Sequence, residues 1–144
     1  MQRVLACILV VFLGTATLPA APGPNPRPKA TSVGSTQIGK ASWYGKQFHG
    51  RTTASGEEYN MFYFTAAHRS LPLGTWIKVT NLKNSKWVVV RVNDRGPYAG
   101  NRILDLSYAA AQSLGFRAKG IQKVKIEVVD LDEFARNGDL RDTD

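Results

Sequence analysis

Asp94 ends a run of residues whose setting invites a catalytic reading. In Lys86 to Tyr98, KWVVVRVNDRGPY, the β-formers Trp87, Val88, Val89, Val90 and Val92 are dense enough to predict a strand buried on both faces. The strand stops at Asn93-Asp94-Arg95-Gly96-Pro97, so a rigid element behind and a proline-braced turn ahead deliver one carboxyl group to a set position. Such a group can give or take a proton; the competing reading is a turn aspartate that caps its own backbone. Two other groups that titrate lie upstream. Glu57 ends the polar cluster Arg51-Thr52-Thr53-Ala54-Ser55-Gly56-Glu57, and His68 follows Thr65-Ala66-Ala67. Metal chemistry is not predicted. His49 and His68 are the only histidines, far apart in sequence, with no HExxH arrangement and no cysteine in the mature domain, so neither a metal nor another cofactor is expected.

The elements that must position these groups are mostly strands. Gln37 to Tyr44 (QIGKASWY) has the alternation of a first strand, with Ile38 on one face and Trp43 on the other. Gly45 to Glu58 is a loop punctuated by Gly45, Gly50, Ser55 and Gly56, after which Met61 to Ala67 returns to apolar and aromatic character. Trp76 to Thr80 and Lys86 to Val92 are separated by Asn81 to Ser85 and predict a hairpin with a longer loop. Ile103 to Leu106 is a further short strand. Ser107 is placed to cap a helix that begins at Tyr108, runs through the alanines 109 to 111 and ends at Gly115. In Ile121 to Val129, Val124, Ile126 and Val128 share one face and Lys123, Lys125 and Glu127 the other. Five or six short strands in so small a chain predict a closed barrel that hides its edges, with one or two short helices.

The 144 residues hold one domain once the ends are set aside. Residues 1–21 have the tripartite form of a secretory signal: Arg3, the apolar run Val4 to Leu13, then small residues at Ala20 and Ala21. Export to the periplasm or cell envelope is therefore expected. Residues 22–36 read as a Pro/Ser/Thr-rich linker, residues 37–129 as the barrel domain and residues 130–144 as an acidic tail, frayed or a short helix. Cys7 is the single cysteine; Val4-Leu5-Ala6-Cys7 looks like a lipobox, which makes a lipid anchor the alternative to a cleaved signal. The formal charge of +8 is uneven: Lys40 to Val129 holds fourteen Lys and Arg against five acids, and the tail six acids against two Arg. A basic exported domain suggests an anionic envelope polymer as partner, and the export signal argues against nucleic acid.

Four stretches, GKASWYG at Gly39 to Gly45, RTTASGE at Arg51 to Glu57, TAAHRSLPLGT at Thr65 to Thr75 and VVVRVNDRGPYAGNRILDLSYAAA at Val88 to Ala111, resemble the rare lipoprotein A family. The resemblance implies a six-stranded double-psi β-barrel and a lytic transglycosylase that acts on peptidoglycan glycan strands. Such an enzyme cleaves between N-acetylmuramic acid and N-acetylglucosamine, the sugar's own 6-hydroxyl attacks in place of water, and a 1,6-anhydro end results. One carboxyl group can then suffice. By motif position the resemblance implies Asp94 as that acid/base and Glu57 as a nearby carboxylate helping Asp94 keep its proton. His68 is either cleft-facing, bonding Asp94 or substrate, or a structural histidine satisfied by backbone. The substrate-binding residues implied are Tyr44, Thr53, Ser55, Asn60, Arg91 and Asn93. Asn60 stands where the family pattern has an aspartate, so an amide replaces a second carboxylate. A non-catalytic, expansin-like polysaccharide-binding module is the alternative function, and Asn60 is the residue that favours it.

Overall fold

A computed structural model describes residues 31 to 138; the signal segment with Cys7, most of the linker and the last residues of the tail lie outside them. The elements in order are β1 (Thr36–Trp43), β2 (Thr65–His68), β3 (Trp76–Asn81), β4 (Trp87–Asp94), β5 (Arg102–Leu106), α1 (Tyr108–Ser113), β6 (Gln122–Val129) and α2 (Leu131–Arg136). The strands close into a barrel in the order β1-β5-β2-β4-β3-β6. β1 with β5 and β2 with β4 are parallel pairs; the other four neighbours are antiparallel. β3 and β4 are the expected hairpin, in register from Trp76↔Arg91 to Thr80↔Trp87.

Local chemistry explains the element ends. Ser107 Oγ accepts the Ala110 N–H at the start of α1, and Gly115 follows its end with φ +76°, a left-handed conformation that glycine adopts without a Cβ penalty. The start of the acidic tail is a short helix: Asp130 Oδ1 accepts the N–H groups of Asp132 and Glu133, and Phe134 is buried edge-on to Trp87 at 5.6 Å. In β6 the alternation places Val124, Ile126 and Val128 inside.

The barrel interior is filled by Ile77, Val79, Val88, Val90, Val92, Leu104, Leu106, Val124 and Ile126, with Leu114 and Phe116 from the α1 region packed against them. One expectation needs correction. β4 is not buried on both faces: Val88, Val90 and Val92 point inward, whereas Trp87, Val89 and Arg91 are half-covered, because a closed barrel has a single interior. Ile38 is 59% exposed, and the buried residues of β1 are Ala41 and Ser42. β1 comes close to β5 at Gly39, where a Cβ would lie 2.8 Å from the Ile103 side chain.

Two strands carrying apolar residues thus differ in what those residues hold. Leu104→Ala, a fully buried site, should cost about 2–5 kcal/mol in urea unfolding, and Ile38→Ala should stay within about 0.5 kcal/mol of the parent.

Candidate functional site

Asp94 reaches the surface because β4 breaks its alternation. The β2–β4 register runs Thr65↔Arg91, Ala66↔Val92 and then Ala67↔Asp94, so Asn93 is the extra residue of an irregularity. Val92 and Asn93 are consecutive buried residues, and Asp94, which strict alternation would turn inward after Val92, emerges half-exposed. Its Oδ1 accepts the N–H groups of Ala54 at 3.0 Å and of Arg95 at 2.8 Å. Among the described residues nothing hydrogen-bonds its other oxygen, which is the atom able to exchange a proton with a ligand.

On the far side of β2 lies a residue that sequence reasoning missed. Ala67 pairs with Asp94 on β4 and with Asp105 on β5, so the two aspartates flank one methyl group at the same level. Two strand spacings put their Cα atoms roughly 10 Å apart. Asp105 accepts from Ser42 Oγ and from Arg102 at 2.8 Å, and Arg102 also donates to Ser42. Asp94, Ala67 and Asp105 line one cleft of about 230 Å³, whose wall includes Tyr44, Phe48, Thr53 and Tyr59. The signal for Asp105 was local: an acid three residues after Arg102 in an otherwise apolar strand.

Tyr44 and Thr53 are thus in the cleft. Tyr44 packs on Tyr59 with ring centroids 4.4 Å apart and on Phe48 at 5.9 Å. Its hydroxyl is buried and faces Thr65 Oγ1, yet the pair falls short of hydrogen-bond geometry. Burial first, then the charges of Tyr59, Asp94 and Asp105, push it far above the ordinary tyrosine range, so the hydroxyl stays protonated. Thr53 Oγ1 bonds the Glu57 carbonyl and Ser55 Oγ, both at 3.0 Å.

Glu57 has its own partner on β4. Arg91 grips it in a two-pronged bond, both contacts at 2.6 Å, and holds its carboxyl below the usual range. A carboxylate so held ties the loop down. Residues 50–59 form a tight hairpin closed by Gly50 N–H to the Tyr59 carbonyl, Tyr59 N–H to the Arg51 carbonyl and Thr53 N–H to the Glu57 carbonyl. Three links fasten it to the end of β4: Glu57 to Arg91, Ser55 N–H to the Asn93 carbonyl, and Ala54 N–H to Asp94. Ser55, Arg91 and Asn93 therefore act as the hairpin's moorings and are not among the cleft-lining residues.

His68 and Asn60 also stand apart from the cleft. The His68 ring is buried; Nδ1 accepts the N–H groups of Ser70 and Leu71 at 3.1 and 3.0 Å, and Nε2 meets Gln37 Oε1 at 3.3 Å. Both nitrogens are taken, so the expected bond from His68 to Asp94 is absent and the structural alternative describes the geometry. Asn60 Oδ1 accepts the Phe62 N–H at 3.0 Å, forming an Asx turn. That task requires only a side-chain oxygen, which an aspartate would supply equally.

Among the described residues no cluster of three or more His, Cys, Asp and Glu side chains could hold a metal ion. With closed barrel, two parallel pairs and a cleft at the ends of β4 and β5, the chain is a double-psi β-barrel. Residues 36–126 match the family described as lytic transglycolase. The chain is 58% identical over 102 residues to the endolytic peptidoglycan transglycosylase RlpA of Neisseria meningitidis, covering 71% of this chain and 43% of that one. Against the protein of the same name from Vibrio cholerae it is 55% identical over 100 residues, 69% of this chain and 38% of the relative. Among solved structures, the Streptomyces papain inhibitor matches with TM-score 0.56 at 20% identity, over 68% of this chain and 97% of that one, and shares the fold. The apo expansin of Clavibacter michiganensis matches with TM-score 0.54 at 26% identity, over 67% and 51%. The chain belongs to the lytic transglycolase family, in its rare lipoprotein A branch. It spans less than half the length of these curated relatives.

The buried histidine carries a pH signature. Burial first, then the positive charges of Arg95 and Arg69, lower its pKa, and a ring that accepts two N–H groups at Nδ1 is neutral. The unfolded chain takes a proton below about pH 6.5 while the folded one resists, so this stabilisation is full above that pH and is lost as pH falls. The urea midpoint should drop between about pH 7.5 and 5.5, and the drop should shrink in His68→Asn, which keeps an acceptor. An equal drop in both proteins would assign the effect to another group.

Proposed function

We propose that this chain is an exported peptidoglycan lytic transglycosylase that cuts between N-acetylmuramic acid and N-acetylglucosamine and leaves a 1,6-anhydro end. The observation that carries the reading is the cleft in which Asp94 and Asp105 flank Ala67. Its neighbours in sequence, named as endolytic peptidoglycan transglycosylases, support the choice of substrate. The net positive barrel suits an anionic wall polymer, and the signal-like residues 1–21 suit work in the cell envelope.

In this reading Asp94 protonates the oxygen between the two sugars. As the bond from the muramyl C1 to that oxygen breaks, positive charge spreads over C1 and the ring oxygen. Asp105, ion-paired with Arg102, supplies negative charge on the opposite wall of the cleft. The muramyl 6-hydroxyl then bonds to C1, and its proton passes to the Asp94 carboxylate, which restores the starting acid without a water molecule. Glu57 and Arg91 act by positioning: they hold the hairpin whose Ala54 N–H fixes Asp94. Thr53 offers a hydroxyl group and Tyr44 its ring at the cleft wall. His68 serves the turn to Leu71.

The structural match to an expansin supports a second reading, a barrel that binds wall glycan without cutting it. Asn60 no longer argues for that reading, since its side chain is used by a turn. Incubation of the protein and its Asp94→Asn variant with purified sacculi separates the two. Mass spectrometry should find 1,6-anhydro products from the parent and at least about a hundredfold fewer from the variant; pull-down by sacculi without such products from either protein would favour the binding module.

A further inference from the structure

Phe62, Tyr63 and Phe64 stand consecutively between the 50–59 hairpin and β2, exposed to 66%, 65% and 45%. A contiguous exposed aromatic run marks a contact surface. Its backbone is pinned. Asn60 takes the Phe62 N–H on Oδ1 at 3.0 Å and the Tyr63 N–H on its carbonyl at 3.1 Å. The Tyr63 carbonyl accepts from Thr65 N–H, the Phe64 carbonyl from Arg91 N–H, each at 3.2 Å, and the Met61 N–H is held by His49 Nδ1 at 3.2 Å. The loop is therefore set before any ligand arrives, which lowers the ordering cost of binding.

The run is also joined to the cleft through ring contacts. Phe62 meets His49 edge-on with centroids 6.0 Å apart, His49 meets Tyr59 at 6.5 Å, and Tyr59 packs on Tyr44 at 4.4 Å. Tyr59 and Tyr44 line the cleft that holds the two aspartates.

We propose that Phe62, Tyr63 and Phe64 form an aromatic platform on which sugar rings of the same glycan strand stack beyond the cleavage cleft. The proposal rests on the glycan reading above and adds to it a second, non-reacting subsite. Pyranose rings present C–H faces that pack on aromatic faces, and each ring buried removes apolar area from water at low conformational cost. Continuity with the cleft selects the strand already bound there as occupant. A membrane surface fits less well, because residues 60–66 (NMFYFTA) include no Lys or Arg to attract anionic headgroups. Affinity gained on distant rings favours long strands and can lower the barrel's barrier to cutting them.

The test pairs Phe62→Ser/Tyr63→Ser with Phe62→Trp, each placed in the non-cutting Asp94→Asn background, and measures retention on purified sacculi. The double substitution should weaken retention by about tenfold, near 1.4 kcal/mol, and Phe62→Trp should preserve it. With Asp94 intact, the double variant should release anhydro product more slowly from long strands and at the parental rate from soluble tetrasaccharide. Unchanged retention of the double variant overturns the platform, whatever the catalytic result. Loss of binding only to anionic phospholipid vesicles overturns it in favour of a lipid surface. If the parent makes no anhydro product while retention still depends on the aromatic pair, the cleavage reading falls and the platform stands.

Discussion

Everything about the site depends on β2 lying between β4 and β5. Closing six strands forces a four-residue strand into that gap, parallel to one neighbour and antiparallel to the other. The short strand carries Ala67 where its neighbours carry Asp94 and Asp105, so a methyl group becomes the floor and two carboxyl groups the walls. Strand spacing, not loop conformation, sets the distance between them. Hydrophobic packing behind the floor, with Ala66, Val92, Leu104 and Leu106 all fully buried, keeps that spacing rigid.

The same barrel makes the two carboxylates unequal. Asp105 is bound to Ser42 and Arg102, side chains of β1 and β5, and is part of a charged network within the sheet. Asp94 is held by main-chain N–H groups at the edge of the hairpin and keeps one oxygen toward the cleft. Division of labour between paired acids follows from such differences in surroundings. In the proposed reaction Asp94 is the acid with an oxygen left unbonded, and Asp105 the charge held within the sheet.

Local pattern made much of the fold legible. The β3–β4 hairpin, the Ser107 cap and the alternation in β6 depend on neighbours within a few residues, and periodicity reports those well. The exposure of Ile38 was hidden because alternation tells which residues share a face and not which face is inside. In the site, the delivery of Asp94 by a strand to a turn was legible, and the motif resemblance directed attention to the loop whose Ala54 N–H bonds it. Asp105 was not, since its pairing with Ala67 spans 38 residues of sequence and needs the barrel order to be known. The partners of the Glu57 carboxylate and of His68 Nε2, Arg91 and Gln37, were not legible for a shared reason: they arrive through tertiary contact.

At the end of β4 the Asp94 carboxylate is held by the main-chain N–H groups of Ala54 and Arg95, and not by any side chain of residue 54. Every amino acid except proline carries that donor. A side chain other than proline at residue 54 leaves that donor in place.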